Sequence, residues 1–107
     1  MNFQNHEFHR ERLELSGNVF HNCTFHECEL IFDGERSPNF SDNEFVDCVF
    51  IFTESAAKTL YFLSNIYHAG AGGREVVGKL LKDVCKGYLH GAELKTAVPS
   101  TEDHSLH

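Results

Sequence analysis

The chain has 107 residues, four cysteines, no tryptophan and a formal net charge of −7. A chain of this length predicts one domain, which we assign to residues 1–94. It contains no apolar run near the roughly 20 residues of a membrane span and no charged-then-apolar leader, so we expect a soluble, cytoplasmic protein without a membrane segment. The acidic balance argues against direct binding to nucleic acid, which needs clustered lysine and arginine.

The first apolar residues, Phe3 and Phe8, are five positions apart. They lie two positions out of frame with the apolar series that follows. We therefore predict that residues 1–12 form an N-terminal cap or an edge strand that closes the end of a repetitive structure.

Large apolar residues recur at multiples of five positions across residues 13–52. The series consists of Leu15, Phe20, Phe25, Leu30, Phe40, Phe45 and Phe50. Only Glu35 interrupts it, and a small residue such as Cys23, Cys28, Asn43 or Cys48 often stands two positions earlier. Because five is the period of neither a helix nor a strand, the pattern predicts a coiled, repetitive fold.

This pattern resembles the pentapeptide-repeat proteins, in a short variant with a C-terminal helical pair. The resemblance implies that the large residue and the small residue two before it both point inward. It also implies that four fives form one square turn of a right-handed β-helix. The expected fold class is α+β, with about two such turns over residues 13–52 followed by two α-helices.

A turn of four fives predicts that side chains one full turn apart stack on each other. The expected stacks are Phe20 on Phe40, Phe25 on Phe45, Leu30 on Phe50, Cys23 on Asn43 and Cys28 on Cys48. These residues would form the interior, and four cysteines in a chain without a leader are expected to be reduced thiols.

After Phe52 the apolar spacing becomes helical, and two helices are predicted over residues 55–88. Thr53 or Ser55 is the expected N-cap of the first helix, and the GAGG segment at 70–73 is expected to end it. The second helix is predicted over 74–86, with Asp83 facing water and Gly87 as its C-cap. Residues 95–107 are polar and aperiodic, and we predict a disordered tail there.

The acidic residues are concentrated in the predicted coil, where nine acids and one base fall between Leu13 and Glu54. We therefore predict an interaction surface of carboxylates on the outside of the coil. Its members are Glu27, Glu29, Asp42, Glu44 and Asp47. A second apolar surface, predicted to form a homodimer, lies on the second helix and comprises Val77, Leu81, Val84 and Tyr88.

Catalytic, metal and cofactor sites are each considered and none is predicted. His21 and His26 are expected on neighbouring sides of the coil, where they diverge and cannot share a zinc ion. Three cysteines occupy inward positions, which does not suit a nucleophile. Stacked acids such as Glu27 and Asp47 are interpreted as solvated side chains, because paired catalytic carboxylates need a cleft.

The sequence thus predicts a non-enzymatic protein-interaction module that acts as an inhibitor through an acidic β-helix surface. Its partner is another protein, and a nucleic-acid-binding protein is one candidate. Some pentapeptide-repeat proteins imitate duplex DNA, so the resemblance implies an alternative as a DNA mimic. Because small acidic proteins also resemble phage-encoded inhibitors, this alternative includes a phage-encoded inhibitor of a nucleic-acid-binding host complex. A second alternative is a small Cys/His-dependent enzyme or metal-binding protein, and a third is a scaffold without a partner.

Overall fold

The computed structural model describes residues 1–97, in which nine short strands precede two helices. The strands are β1 (Asn2–Gln4), β2 (Glu7–His9), β3 (Arg12–Glu14), β4 (Val19–His21), β5 (Thr24–His26), β6 (Glu29–Phe32), β7 (Asn39–Ser41), β8 (Glu44–Val46) and β9 (Val49–Phe52). The helices are α1 (Glu54–Tyr67) and α2 (Ala71–Lys86). The predicted α+β class is confirmed.

The strands form three parallel three-stranded sheets, ordered β1-β4-β7, β2-β5-β8 and β3-β6-β9. Each sheet receives every third strand, so the chain visits all three sheets in turn and makes three circuits. The predicted stacks of Phe20 on Phe40, Phe25 on Phe45 and Leu30 on Phe50 are confirmed as strand partners. The circuit between these partners has the predicted length of four fives.

The first circuit is three residues shorter than the second, and this changes the predicted boundaries. Phe3 pairs with Phe20, Phe8 with Phe25 and Leu13 with Leu30. The strands therefore begin at Asn2 and complete three circuits, where the sequence predicted about two from residue 13. Two of the three residues belong to the connection between the third and first sheets, which spans residues 15–18 in the first circuit and 33–38 in the second. The third is the additional residue of β6, which has four residues where β3 has three.

Because the first circuit is shorter, two leucines have the opposite roles from those expected. Leu13, which stands two positions before Leu15 in the expected frame, occupies the central position opposite Leu30. Leu15, expected at that central position, lies after β3 and is nevertheless buried. Both leucines are apolar, so the sequence could not distinguish which one belonged to the strand.

Columns of aromatic rings fill the interior of the coil. Phe3 and Phe20 stack with centroids 5.2 Å apart, and Phe20 and Phe40 stack at 5.3 Å. Phe25, between Phe8 and Phe45, has no exposed surface. Full burial of one such side chain stabilises the fold by about 1.5–3 kcal/mol, so these columns account for much of the coil's stability.

Small polar residues also point inward and tie successive circuits together. The Asn43 side chain accepts a hydrogen bond from the Cys23 backbone N–H at 2.9 Å and donates one to the Phe20 carbonyl at 2.9 Å. The predicted stack of Cys23 on Asn43 is thereby confirmed. Cys23 and Cys28 are buried free thiols, and Cys48 is partly buried against the same core.

The corners between strands adopt a left-handed backbone conformation. Positive φ angles of 52–58° occur at residues in equivalent positions of the three circuits. These residues are Asn5, Asn22 and Asp42 at one corner and Arg10, Glu27 and Asp47 at the next. At such a corner the backbone turns sharply, and Asn22 donates its N–H to the Ser41 carbonyl of the next circuit at 2.8 Å.

The two helices agree with the predicted pair, with shifted ends. The turn between them is shorter than predicted, since α2 begins at Ala71 and includes Gly72 and Gly73. Gly87 is confirmed as the C-cap, with φ 71° and its N–H directed at carbonyls of the last turn. Within the described residues, neither helix is long and apolar enough to cross a membrane.

Asp83 does not face water as predicted. It is buried on α2, where Lys79 donates hydrogen bonds to both carboxylate oxygens at 2.8 and 2.9 Å. The Thr96 hydroxyl donates a third at 3.1 Å. Thr96 falls in the predicted tail of 95–107, of which residues 98–107 lie outside the described part of the chain.

The chain separates into two compact units, Met1–Leu60 and a second that begins at Tyr61. The boundary falls within α1, so one continuous helix contributes to both units. The first unit contains all nine strands and every residue of the predicted acidic surface. The single domain expected over residues 1–94 stays a prediction.

Candidate interaction surface

The five predicted surface carboxylates lie on the outside of the coil, in two circuits. Glu27 and Glu29 belong to the second circuit, at a corner and at the start of β6. Asp42, Glu44 and Asp47 belong to the third, with Glu44 at the start of β8 and the two aspartates at the corners on either side. All five are exposed, but their electrostatic surroundings differ.

The two glutamates of the second circuit are paired with arginines of the first. Arg10 Nε lies 3.0 Å from Glu27 Oε1, and Arg12 Nη1 lies 2.9 Å from Glu29 Oε1. Exposed pairs of this kind contribute only about 0–1 kcal/mol to stability. Their consequence is electrostatic, because each arginine cancels the charge of the glutamate above it.

Sequence reasoning missed these pairs because it placed residues 1–12 outside the coil. The available signal was the spacing between each arginine and its glutamate, which equals the spacing between Phe3 and Phe20. When Phe3 and Phe8 are aligned with Phe20 and Phe25 of the next circuit, each arginine falls opposite the glutamate with which it pairs.

The three carboxylates of the third circuit have no such compensation. Among residues 1–97, Asp42, Glu44 and Asp47 form no ion pair with lysine, arginine or histidine. They follow one another along β8 and its two corners. We call these three residues the acidic rim.

An apolar surface accompanies the acidic rim in the same circuit. The inward rings Phe40, Phe45 and Phe50 are 38%, 40% and 45% exposed, whereas their partners in the second circuit are buried. Phe45 contacts both neighbours edge to face, with its centroid 5.6 Å from that of Phe40 and 5.3 Å from that of Phe50. We call Phe40, Phe45 and Phe50 the ring layer.

A groove of about 300 Å³ lies between the end of β9 and the first turns of α1. Its lining is largely apolar and includes Phe32, Phe52, Ala56 and Leu60. Among the described residues, no lysine, arginine, histidine, aspartate or glutamate lines it. The groove therefore brings no acid–base chemistry together.

The predicted dimer face is partly exposed on α2. Leu81 and Val84 are 56% and 53% exposed, and Val77 is half-buried. Tyr88, 64% exposed, lies beyond the C-cap at Gly87 and so is outside the helix itself.

The cysteines provide no shared site. Cys23 and Cys28 are buried, and their Sγ atoms approach backbone carbonyl oxygens at 3.4–3.6 Å. Cys48 makes similar contacts at 3.3 and 3.5 Å. Cys85 is the exposed one, on α2.

One histidine cluster was not predicted. His21 and His26 lie in different sheets, as expected, but His26 is the strand partner of His9. Their rings stack with centroids 4.6 Å apart, and Glu7 lies beside both. The sequence signal was the repetition of EFH at 7–9 as TFH at 24–26, one short circuit later.

Comparison of the chain with family models, with curated proteins and with solved structures finds no match.

Proposed function

We propose that the protein is a non-enzymatic protein-interaction module that binds a basic protein surface through the third circuit of its coil. The observation that supports this most strongly is the coincidence of the exposed ring layer with the uncompensated acidic rim. Aromatic rings bordered by charge are typical of a binding surface whose centre is apolar and whose edge is polar. Such a surface complements a partner that presents lysine or arginine around an apolar patch.

The fold proposed for this module is a short right-handed β-helix of the pentapeptide-repeat type. Its support is the five-residue spacing of the inward side chains and the return of the chain to the same sheet after each circuit. Crossovers between parallel strands of one sheet are right-handed in about 98% of cases, which favours this hand.

A general basic partner is favoured over imitation of duplex DNA. An imitation of duplex DNA needs a continuous run of negative charge, and Arg10 and Arg12 cancel two of the five predicted carboxylates. The remaining acidic rim occupies a single circuit, and neighbouring circuits are only about 4.8 Å apart. An inhibitor role directed at a nucleic-acid-binding protein is retained as the narrower form of the proposal.

Charge reversal tests the acidic rim. The double variant Glu44→Lys/Asp47→Lys should lose the proteins that the unchanged chain captures from a cell lysate. The matched control is Glu75→Lys/Glu93→Lys, which changes the net charge equally at exposed residues of the second unit. Equal capture by both double variants would contradict the proposal.

The ring layer is tested separately from charge. Phe45→Ser removes the central ring without altering the net charge, and capture should fall while the far-ultraviolet circular dichroism spectrum is preserved. If capture depends on Glu44 and Asp47 but not on Phe45, the partner recognises charge alone and the apolar part of the proposal is wrong.

The apolar face of α2 is proposed to bind a second copy of the chain. The support is the exposure of its apolar side chains, since Leu81 and Val84 are 56% and 53% exposed. The Leu81→Glu variant should halve the mass measured by light scattering, and Lys82→Glu, on the polar side, should retain more of the dimer. An unchanged mass in Leu81→Glu would remove this face from the interface.

We also propose the cytoplasm as the compartment. The support is chemical, since all four cysteines are free and two are buried without a disulfide partner. Free thiols persist in reducing compartments.

A further inference from the structure

The cluster of Glu7, His9 and His26 on the outer face of the second sheet is the strongest remaining grouping of metal-ligating side chains in the described residues. We propose that it binds a borderline divalent cation, with Zn²⁺ as the representative ion. The ligating atoms of all three residues lie within 4.8 Å of one another. This site is independent of the acidic rim, since it lies in the first two circuits.

The backbone brings the three side chains together. Glu7 and His9 are two positions apart on β2, so they project from the same face of the sheet. Parallel pairing of β2 with β5 places His26 directly beside His9. Phe8 stands between Glu7 and His9, and Phe25 directly precedes His26. Both phenylalanines point inward and are buried, so the side chains of the three ligands point outward.

The distance from Glu7 to His9 matches the spacing of two ligand atoms in a tetrahedral zinc site, and the distance from Glu7 to His26 is slightly longer. His9 Nε2 and His26 Nε2 lie 3.3 and 3.8 Å from Glu7 Oε1. Zinc bond lengths of about 2.0–2.2 Å place the ligand atoms of a tetrahedral site about 3.3–3.6 Å apart. Glu7 is therefore already positioned between the two imidazoles.

The two imidazoles need a small rearrangement. Their planes are parallel to within 2°, so the lone pairs do not yet point at a common centre. The side chains of Glu7, His9 and His26 are 67%, 62% and 34% exposed, which leaves room for the rings to tilt. Binding should thus separate the stacked rings, and this change can be measured.

The donor set selects the class of ion. Two imidazoles and one carboxylate suit zinc and related transition metals better than Mg²⁺ or Ca²⁺, which prefer oxygen. Three protein ligands leave one position for water. The column ends at Val46, the apolar partner of His26 in the third circuit, so within residues 1–97 this column contains two histidines.

The test uses the full chain without a histidine tag, in a Cys85→Ser background that removes the exposed thiol. Titration calorimetry with ZnCl₂ should give one Zn²⁺ per chain. His9→Ala, His26→Ala and Glu7→Gln should each weaken binding by at least about tenfold, a loss of the size seen when metal-site contacts are removed. His21→Ala is the matched control, because His21 is an exposed strand histidine opposite Gln4 and Ser41 and should leave the affinity unchanged.

Side-chain NMR localises the ion independently of affinity. Zn²⁺ should shift the imidazole resonances of His9 and His26 and not those of His21. Equal affinities in the His9→Ala, His26→Ala and His21→Ala variants would overturn the site. So would the absence of binding up to about 1 mM Zn²⁺, which would leave the cluster as a stacked pair with a hydrogen-bonded glutamate.

Discussion

Phe3 and Phe20 stack with centroids 5.2 Å apart and planes within 9° of parallel, as partners on neighbouring strands of one sheet. Phe20 and Phe40 stack almost identically, at 5.3 Å and 11°, although the circuit that joins them is three residues longer. The same interior geometry is therefore reached by circuits of different length. The difference is absorbed where the chain passes from the third sheet back to the first, outside the aromatic columns.

Burial within a column should determine the cost of removing a ring. Phe25→Ala should lower the free energy of unfolding by about 3–5 kcal/mol, because Phe25 has no exposed surface and contacts rings on both sides. Phe45→Ala, 40% exposed in the next circuit, should cost only about 1–2 kcal/mol. Urea denaturation measures both.

Phe25→Leu and Phe45→Leu give the same comparison if the alanine variant of Phe25 does not fold. Equal losses at the two positions would mean that the third circuit is as well covered as the second. The ring layer would then not be available to a partner.

The sequence predicted the interior of the last two circuits because Phe20, Phe25 and Leu30 belong to the same five-residue series as the strand partners that lie 20 positions later. The start of the coil was missed, because Phe3 and Phe8 keep the five-residue spacing in a different frame. The connection of residues 15–18 is set by a turn, whose length leaves no periodic signal. Leu13 and Leu15 are equally apolar, so either could have been the strand residue.

Because the sequence did not show where the coil begins, only part of the candidate surface could be predicted. The exposed positions of Glu44 and Asp47 follow from the correct frame of the third circuit. The neutralisation of Glu27 by Arg10 depends on the first circuit, and so does the meeting of His9 with His26. Asp83 was missed for another reason, since one of its partners, Thr96, lies 13 positions away beyond the helix.

Two neighbouring glycines at the start of α2 should respond in opposite directions. A Cβ added at Gly73 would overlap the backbone oxygen of Ile66, so Gly73→Ala should destabilise the second unit. Gly72 has no atom near the same position, and Gly72→Ala should stabilise the helix by up to about 1 kcal/mol through its higher helix propensity. Thermal unfolding followed by helical circular dichroism measures the pair, and a gain in both variants would contradict the contact with Ile66.

Asp83 should make stability depend on pH in the acid range. The hydrogen bond from Lys79 is the main cause that holds the pKa of Asp83 below its usual 3.8, and burial opposes it. Because the folded-state pKa is the lower one, the carboxylate stabilises the fold above pH 3.8, and this contribution is lost as the pH falls through the folded-state value.

The Asp83→Asn variant measures that contribution. Its deficit in unfolding free energy relative to the unchanged chain should be full near neutral pH and should shrink as the pH falls below about 4. Lys79→Gln removes the main donor and should weaken the same pH dependence. A deficit that stays constant from neutral to acid pH would show that Asp83 is not held in its charged form by these partners.

The most direct test of the three-circuit coil is a nuclear Overhauser spectrum of the phenylalanine rings in selectively labelled protein. A coil that begins at β1 predicts ring contacts between Phe3 and Phe20 and between Phe8 and Phe25, as strong as those that join Phe20 to Phe40. Contacts confined to the partners of the second and third circuits, with none from Phe3 or Phe8, would contradict it. The coil would then begin after residue 12, and the arginine pairs and the histidine cluster would be lost with its first circuit.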